Sequence, residues 1–257
     1  VRELRGAKLA DWAPAAVCLA VGYIACNLAL DVTTATNVGF LVALPVVFAP
    51  FVARVVRRVR YPRAMIPFQV AVVGGLYLLC CNGGSFSFGA GEALSLLSSA
   101  AIAGSLVFGE KGLEKLSAPT IAGTQILAAF ALSLAAALAA EPVVDVVTIE
   151  PVAWGVIVFL AILSTCITFA LQNVALTGLP SSTVSLLLTF EPVFTALFSM
   201  ALLGEFLSIG GWVGAGVILV AVVGATLVEG RDGNSEAPSS TGMERLVSQL
   251  ASDSNAQ

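Results

Sequence analysis

Charged residues punctuate this chain at wide intervals, and long apolar runs lie between them. Residues 12–30, 32–53, 64–91, 93–109, 116–140, 151–190 and 206–228 contain no Asp, Glu, Lys or Arg. A helix that crosses a bilayer needs roughly 20 mostly apolar residues, so most of these runs hold one span. The run 151–190 is too long for one span and is interrupted by "TGLPSS" at 177–182, a Gly/Pro/Ser cluster of the kind that breaks a helix. Divided there, its second part continues through Glu191 to Leu203. The pattern therefore predicts an all-α integral membrane fold with eight transmembrane helices, at about 13–30, 36–56, 64–81, 92–109, 117–140, 152–174, 183–203 and 208–228.

Composition supports that class. The chain is 58% hydrophobic and only 11% charged, against about 25% charged in soluble domains. Basic residues collect in short cytoplasmic loops. With the N-terminus inside, the segments 1–11, 54–63, 110–116, 175–182 and 229–257 hold all twelve Lys and Arg. The outer loops hold Asp31, Glu141, Asp145, Glu150 and Glu205 instead. The expected arrangement is a multi-pass membrane protein with both ends on the cytoplasmic side. The net charge of −4 argues against a nucleic-acid partner. The run "RVVRRVRYPR" reads as a topology anchor beside anionic lipid headgroups. Five cysteines without CxxC spacing and the absence of histidine point to no metal, redox or other cofactor.

Sliding the chain against itself by 146 residues brings "CNLALDVTTATNVGFLVALPVVF" (26–48) onto "QNVALTGLPSSTVSLLLTFEPVF" (172–194) without a gap. The identical pairs are Asn27/Asn173, Ala29/Ala175, Leu30/Leu176, Val38/Val184, Leu41/Leu187, Val47/Val193 and Phe48/Phe194. The first three spans then correspond to the last three, five spans later. Five is odd, so the copies cross the membrane in opposite directions, an arrangement associated with secondary transporters. The offset predicts that 1–81 is the last three helices of a first repeat and 92–228 a complete five-helix second repeat. The chain starts at Val1 and shows three spans of a five-span unit, so two N-terminal spans are expected beyond it, in a ten-helix (5+5) fold. Residues 229–257 are polar and Ser/Gly-rich and read as a disordered cytoplasmic tail. Within them, "MERLVSQL" has the spacing of a short amphipathic helix.

The segment "EPVFTALFSMALLGEFLSIGGWVGAGVILVAVVGATLV" (191–228) resembles the closing two helices of the EamA-type domain in the drug/metabolite transporter superfamily. In that family an in-helix Glu-Pro precedes a Leu-Leu-Gly-Glu end and a glycine-rich last helix. "TTATNVGFLVALPVVFAPFVARVV" (33–56) is similar to the equivalent helix of the first domain. In the first copy Pro45 and Val46 align with Glu191 and Pro192, and Arg58 and Val59 with Gly204 and Glu205. The resemblance implies ten helices in two inverted five-helix domains, cytoplasmic termini and transport of a small organic solute.

Candidate residues follow from the polar and helix-breaking positions within the spans. Glu191 lies about eight residues into its expected helix, roughly 12 Å along it. Intramembrane acids usually face a bundle interior or water. It is expected either to bind a cationic group or a coupled proton, or to stay protonated and bond across helices. Pro192 and Pro45 each remove a backbone donor and free a carbonyl one turn earlier. Asn27 and Asn173 are either matched elements at opposite mouths of a pathway or bonds to neighbouring helices. Gln125 and Gln172 are further pathway candidates, and Gln69 and Gln125 read equally as inter-helix bonds. Ser95, Ser98 and Ser99 share one helix face and read as close packing. The expected function is secondary transport of a small-molecule solute in a lipid bilayer by alternating access, in a protein allowed to form a homodimer. The alternatives are a non-transporting scaffold or receptor, and an integral-membrane enzyme. The enzyme lacks the clustered acid, base and nucleophile that its chemistry would need.

Overall fold

The structure is a computed structural model that describes residues 3–58, 63–81, 89–140, 150–203 and 208–233. The expected tail begins later than the sequence suggested, because residues 229–233 continue the last helix; the rest of it, with "MERLVSQL", lies outside the described residues, as do the Gly204 and Glu205 positions. Among the described residues every regular element is helical. The helices are α1 (Leu9–Val32), α2 (Ala35–Val42), α3 (Pro45–Val56), α4 (Ile66–Cys81), α5 (Ala90–Gly112), α6 (Ala118–Ala140), α7 (Pro151–Phe159), α8 (Thr168–Gly178), α9 (Ser181–Leu188), α10 (Phe190–Leu203) and α11 (Ile209–Gly233). A π-helical segment, Leu160–Ile167, joins α7 to α8.

Six stretches among the described residues are long and apolar enough to cross a membrane: Leu9–Val32, Asn37–Val56, Ala90–Gly112, Ala118–Ala139, Pro151–Gly178 and Ile209–Val228. The other two expected spans take different forms. The one at 64–81 is a shorter apolar helix, Arg63–Leu79, and the one at 183–203 is divided into α9 and α10. The span at 36–56 is divided too, between α2 and α3. Both divisions have the same cause. Proline cannot donate to the carbonyl four residues back, and it disfavours a helical residue just before it. Pro45 opens α3, and Pro192 follows the turn at Thr189. The Leu41 carbonyl, which Pro45 cannot serve, accepts from the Leu44 N–H at 3.2 Å.

Pro50, inside α3, frees the carbonyl of Val46. The Gln69 side chain on α4 fills that vacancy, its Nε2 donating to the Val46 carbonyl at 2.6 Å. A bare carbonyl within a bilayer must be satisfied by protein, and here a helix one loop away does so.

Helices approach closely where small residues meet. Ser98 on α5 donates to the Gly22 carbonyl on α1 at 2.8 Å, and Ser95, Ser98 and Ser99 are all buried, in keeping with the packing expected of that serine face. α4 and α11 touch through Gly75 and Gly214, where a Cβ on Gly214 would lie 2.5 Å from the Gly75 carbonyl oxygen. The apolar core around this contact contains Val46, Val72, Leu76, Ile218 and Val222. α5 packs against α1, α2, α3, α8 and α9. In contrast, α7 and the π-helical segment bury no residue.

The element boundaries repeat. α2 starts at Ala35 and ends at Val42; α9 starts at Ser181 and ends at Leu188. Both pairs of ends are 146 residues apart, the offset found in the sequence. α1 ends at Val32 and α8 at Gly178, again 146 apart.

Candidate functional site

Glu191 occupies the first turn of α10, just after the turn at Thr189. Thr189 is buried and its Oγ1 donates to the Leu186 carbonyl at 2.6 Å. Its polar group thus serves the end of α9. Glu191 itself is exposed on the protein surface and Pro192 is half-buried. Tyr23 of α1 lies within electrostatic reach of the Glu191 carboxylate. The Tyr23 ring also meets the Phe169 ring of α8, with centroids 6.2 Å apart. Asn27 is one turn along α1 from Tyr23, so the two share a face, and it is exposed. Phe190 and Phe194 flank the acid on its own helix, their rings 6.3 Å apart. A carboxylate flanked by aromatic rings on its own helix has the elements that attract an organic cation: charge, hydrogen-bond acceptors and negative ring faces.

A second polar group is fully enclosed. Gln125 of α6 and Asn173 of α8 are both buried. The Asn173 Nδ2 donates to Gln125 Oε1 at 2.8 Å and to the Phe169 carbonyl at 2.9 Å. The Gln125 Nε2 donates to Ser105 Oγ of α5 at 2.9 Å. This chain ties α5, α6 and α8 together and, through Phe169, adjoins the Tyr23–Phe169 ring pair. Of the residues expected at a pathway, the structure thus joins Gln125 to Asn173 directly. Gln172 is half-buried beside them, and Pro45 is buried at the start of α3. Asn27 and Asn173 differ in environment, one exposed and one enclosed.

Residues that the sequence did not single out stand at the two ends of α5. Near its N-terminus, Glu92 is buried. One of its oxygens accepts from Thr33 Oγ1 and from Asn37 Nδ2, the latter at 3.0 Å. The other oxygen accepts from the Gly89 N–H at 2.8 Å. Near the C-terminus, Glu110 Oε1 pairs with Arg57 Nη1 at 3.2 Å, and Oε2 accepts from the Ser181 N–H at 2.9 Å. Arg57 also reaches Glu114 at 3.3 Å. The spacing of Gly89 and Glu92, three residues apart, is the one sequence signal that marks an acid reaching back over a helix start. Tyr23 and Phe169 carry no such signal, since aromatics are ordinary in an apolar span. Among the described residues, no three of Cys, Asp and Glu converge on a metal-sized site.

Comparison with known proteins supplies the context for this geometry. The EamA-like transporter family matches residues 89–227. A protein of Archaeoglobus fulgidus described as an uncharacterized transporter is 30% identical over 221 residues, covering 86% of this chain and 70% of that protein. The threonine/homoserine exporter RhtA of Escherichia coli K12 is 39% identical over 77 residues, 29% of this chain and 26% of RhtA. A solved crystal structure shares the fold with a TM-score of 0.76 at 20% identity, covering 90% of this chain and 80% of that one. An all-helical chain with several membrane-length apolar helices, a family match over more than half its length and a transporter relative over most of it is an integral membrane transporter, and it belongs to the EamA-like transporter family.

Proposed function

We propose that this chain is a secondary transporter that moves a small organic metabolite bearing a cationic group, by alternating access of two inverted repeats around Glu191. The observation that carries this reading is the placement of Glu191: an exposed carboxylate in the first turn after a helix break, between Phe190 and Phe194, whose rings pair. A carboxylate within an apolar span is costly, on the order of 2.5–3.5 kcal/mol on insertion scales, and such acids commonly serve a solute or proton pathway. Broken helices beside the site are the usual way that transporters present polar backbone near the membrane middle. The matching ends of α2 and α9 support a repeat, and the distribution of Lys and Arg supports cytoplasmic termini.

The repeat has a packing consequence. α1 lies against α5 and α6. Its counterpart, the α7–α8 helix, presents residues 151–167 with none buried. Two helices equivalent to α5 and α6 would cover that face, which is the arrangement expected of a five-plus-five fold. The likeness to a threonine/homoserine exporter favours an amino acid, whose ammonium group suits Glu191 and the neighbouring rings.

Uptake of radiolabelled threonine and other neutral amino acids into proteoliposomes tests the reading. The expected result is saturable uptake by the parent and its loss, or loss of its pH dependence, in Glu191→Gln with folding retained. If Gln transports like the parent at every pH while Glu191→Ala fails to fold, the acid is a structural bond and the proposed site is wrong.

A further inference from the structure

We propose that α5 is a strut with a carboxylate latch at each end, Glu92 and Glu110, and that each latch holds one end of the transport pathway closed; the inference rests on the alternating-access reading above. Glu92 and Glu110 are 18 residues apart, about 27 Å along the helix, close to the thickness of a bilayer's hydrocarbon core of about 30 Å. They stand at opposite ends of the pathway. Their partners are what give them meaning. Glu92 grips the entry to α2 through Thr33 and Asn37. Glu110 grips the entry to α9 through the Ser181 N–H, the first residue of that helix. α2 and α9 start 146 residues apart, so the two latches hold counterpart helices from opposite sides of the membrane.

Each latch also spans more than one element. Glu110 uses one oxygen for α9 and the other for Arg57, at the C-terminal end of α3. Its negative charge meets the positive end of the α9 dipole, while Arg57 meets the negative end of α3, so both contacts are favourable as drawn. α9 and α3 cannot part at that end while Glu110 bridges them. At the other end Glu92 fastens the corner between α1 and α2 to the start of α5 and uses its second oxygen on the Gly89 N–H. Opening one side requires release of one latch only. Glu110 and Arg57 are mostly shielded, at 14% and 23% side-chain exposure, so the pair is little screened by water. Loss of a charge-assisted hydrogen bond of this kind shifts a two-state equilibrium by about tenfold.

Val38 and Val184 serve as reporters. They occupy counterpart positions one turn inside α2 and α9, and each is 3% exposed. In full-length protein with the native cysteines replaced by alanine, Val38→Cys and Val184→Cys are labelled with a membrane-impermeant maleimide. Labelling is done in right-side-out and inside-out vesicles. Glu110→Ala and, from the partner side, Arg57→Gln are expected to speed labelling of Val184→Cys about tenfold without speeding that of Val38→Cys. Glu92→Ala and Thr33→Val are expected to do the reverse. Equal acceleration of both reporters would show general loosening, and unchanged labelling of both would show that the carboxylates restrain neither end; either result overturns the latches. Amino-acid uptake by the parent is measured in parallel. Its absence would count against the transport reading, whereas one-sided labelling speaks to the latches alone.

Discussion

The Gln69–Val46 bond predicts a coupling that proline chemistry makes separable. Pro50 lacks the N–H that would satisfy the Val46 carbonyl, and Gln69 supplies a donor at 2.6 Å from another helix. Val46 is fully buried, so no bulk water replaces the bond when it is removed. Gln69→Leu keeps the side-chain volume and leaves the carbonyl bare, which costs about 1–3 kcal/mol. At about 2–4 °C per kcal/mol for a chain of this size, the loss is readable as a lower melting temperature in detergent. Pro50→Ala restores the backbone donor, so the Val46 carbonyl regains an in-helix partner whatever stands at 69. Gln69→Leu in the Pro50→Ala background is therefore expected to cost about 1 kcal/mol less than in the parent, as coupled neighbours do. Melting of the parent, the two single variants and the double variant completes the cycle. Additive effects, with Gln69→Leu equally costly in both backgrounds, would refute the idea that Gln69 repairs the vacancy left by Pro50.

Two further outcomes follow from separate parts of the structure. Gly214→Ala would place its Cβ 2.5 Å from the Gly75 carbonyl oxygen and 2.7 Å from the Leu79 nitrogen, whereas nothing lies within 4 Å at Gly216. Forced separation of α4 and α11 is expected to cost about 1–3 kcal/mol, while Gly216→Ala melts at or above the parent; equal melting of the two would refute the close approach. At the N-terminal end, hydrogen bonds from Thr120 and Ser117 hold the Glu3 carboxyl below its ordinary value of 4.5. The folded-state value is depressed, so this contribution is complete above the ordinary carboxylate range and lost as pH falls through the lowered value. Hydrogen exchange of residues 3–8 is expected to stay slow from neutral pH to below 4.5 and then rise, with no acid step in Glu3→Gln; release near pH 6 in the parent would contradict the bonding.

Much of this architecture was legible because lipid imposes a simple rule. Long charge-free runs became helices, and the "TGLPSS" break separates α8 from α9 as expected. Pro45 and Pro192 signalled kinks, and the structure turns them into divisions between helices, since each proline both lacks a donor and restricts the preceding residue. Gln69 was readable as an inter-helix bond; its acceptor follows from Pro50, four residues beyond Val46. The candidate site was legible only in part. Glu191 stood out as an acid in an apolar run, but the Tyr23–Phe169 pair joins distant helices, and both rings look like ordinary lipid-facing residues in sequence. Glu92 and Glu110 fell at the edges of apolar runs, where a charge reads as a loop boundary. Their carboxylates acquire a role only when α2, α3 and α9 are packed around α5. The π-helical segment at Leu160–Ile167 had no sequence marker at all, because its residues are as apolar as the α-helical turns beside them.

The central claim, that this EamA-family protein carries a small solute bearing a cationic group by alternating access, is tested most directly by countertransport. Proteoliposomes containing the full-length protein are loaded with unlabelled threonine, or another neutral amino acid from the uptake panel, and labelled solute is presented outside. A carrier whose site faces one side at a time exchanges solutes faster than it returns empty, so preloading is expected to accelerate labelled entry, and entry is expected to saturate with external solute. The acceleration should vanish in Glu191→Gln. Entry that rises linearly with concentration and ignores the internal solute, or no entry for any amino acid tested, would contradict the account.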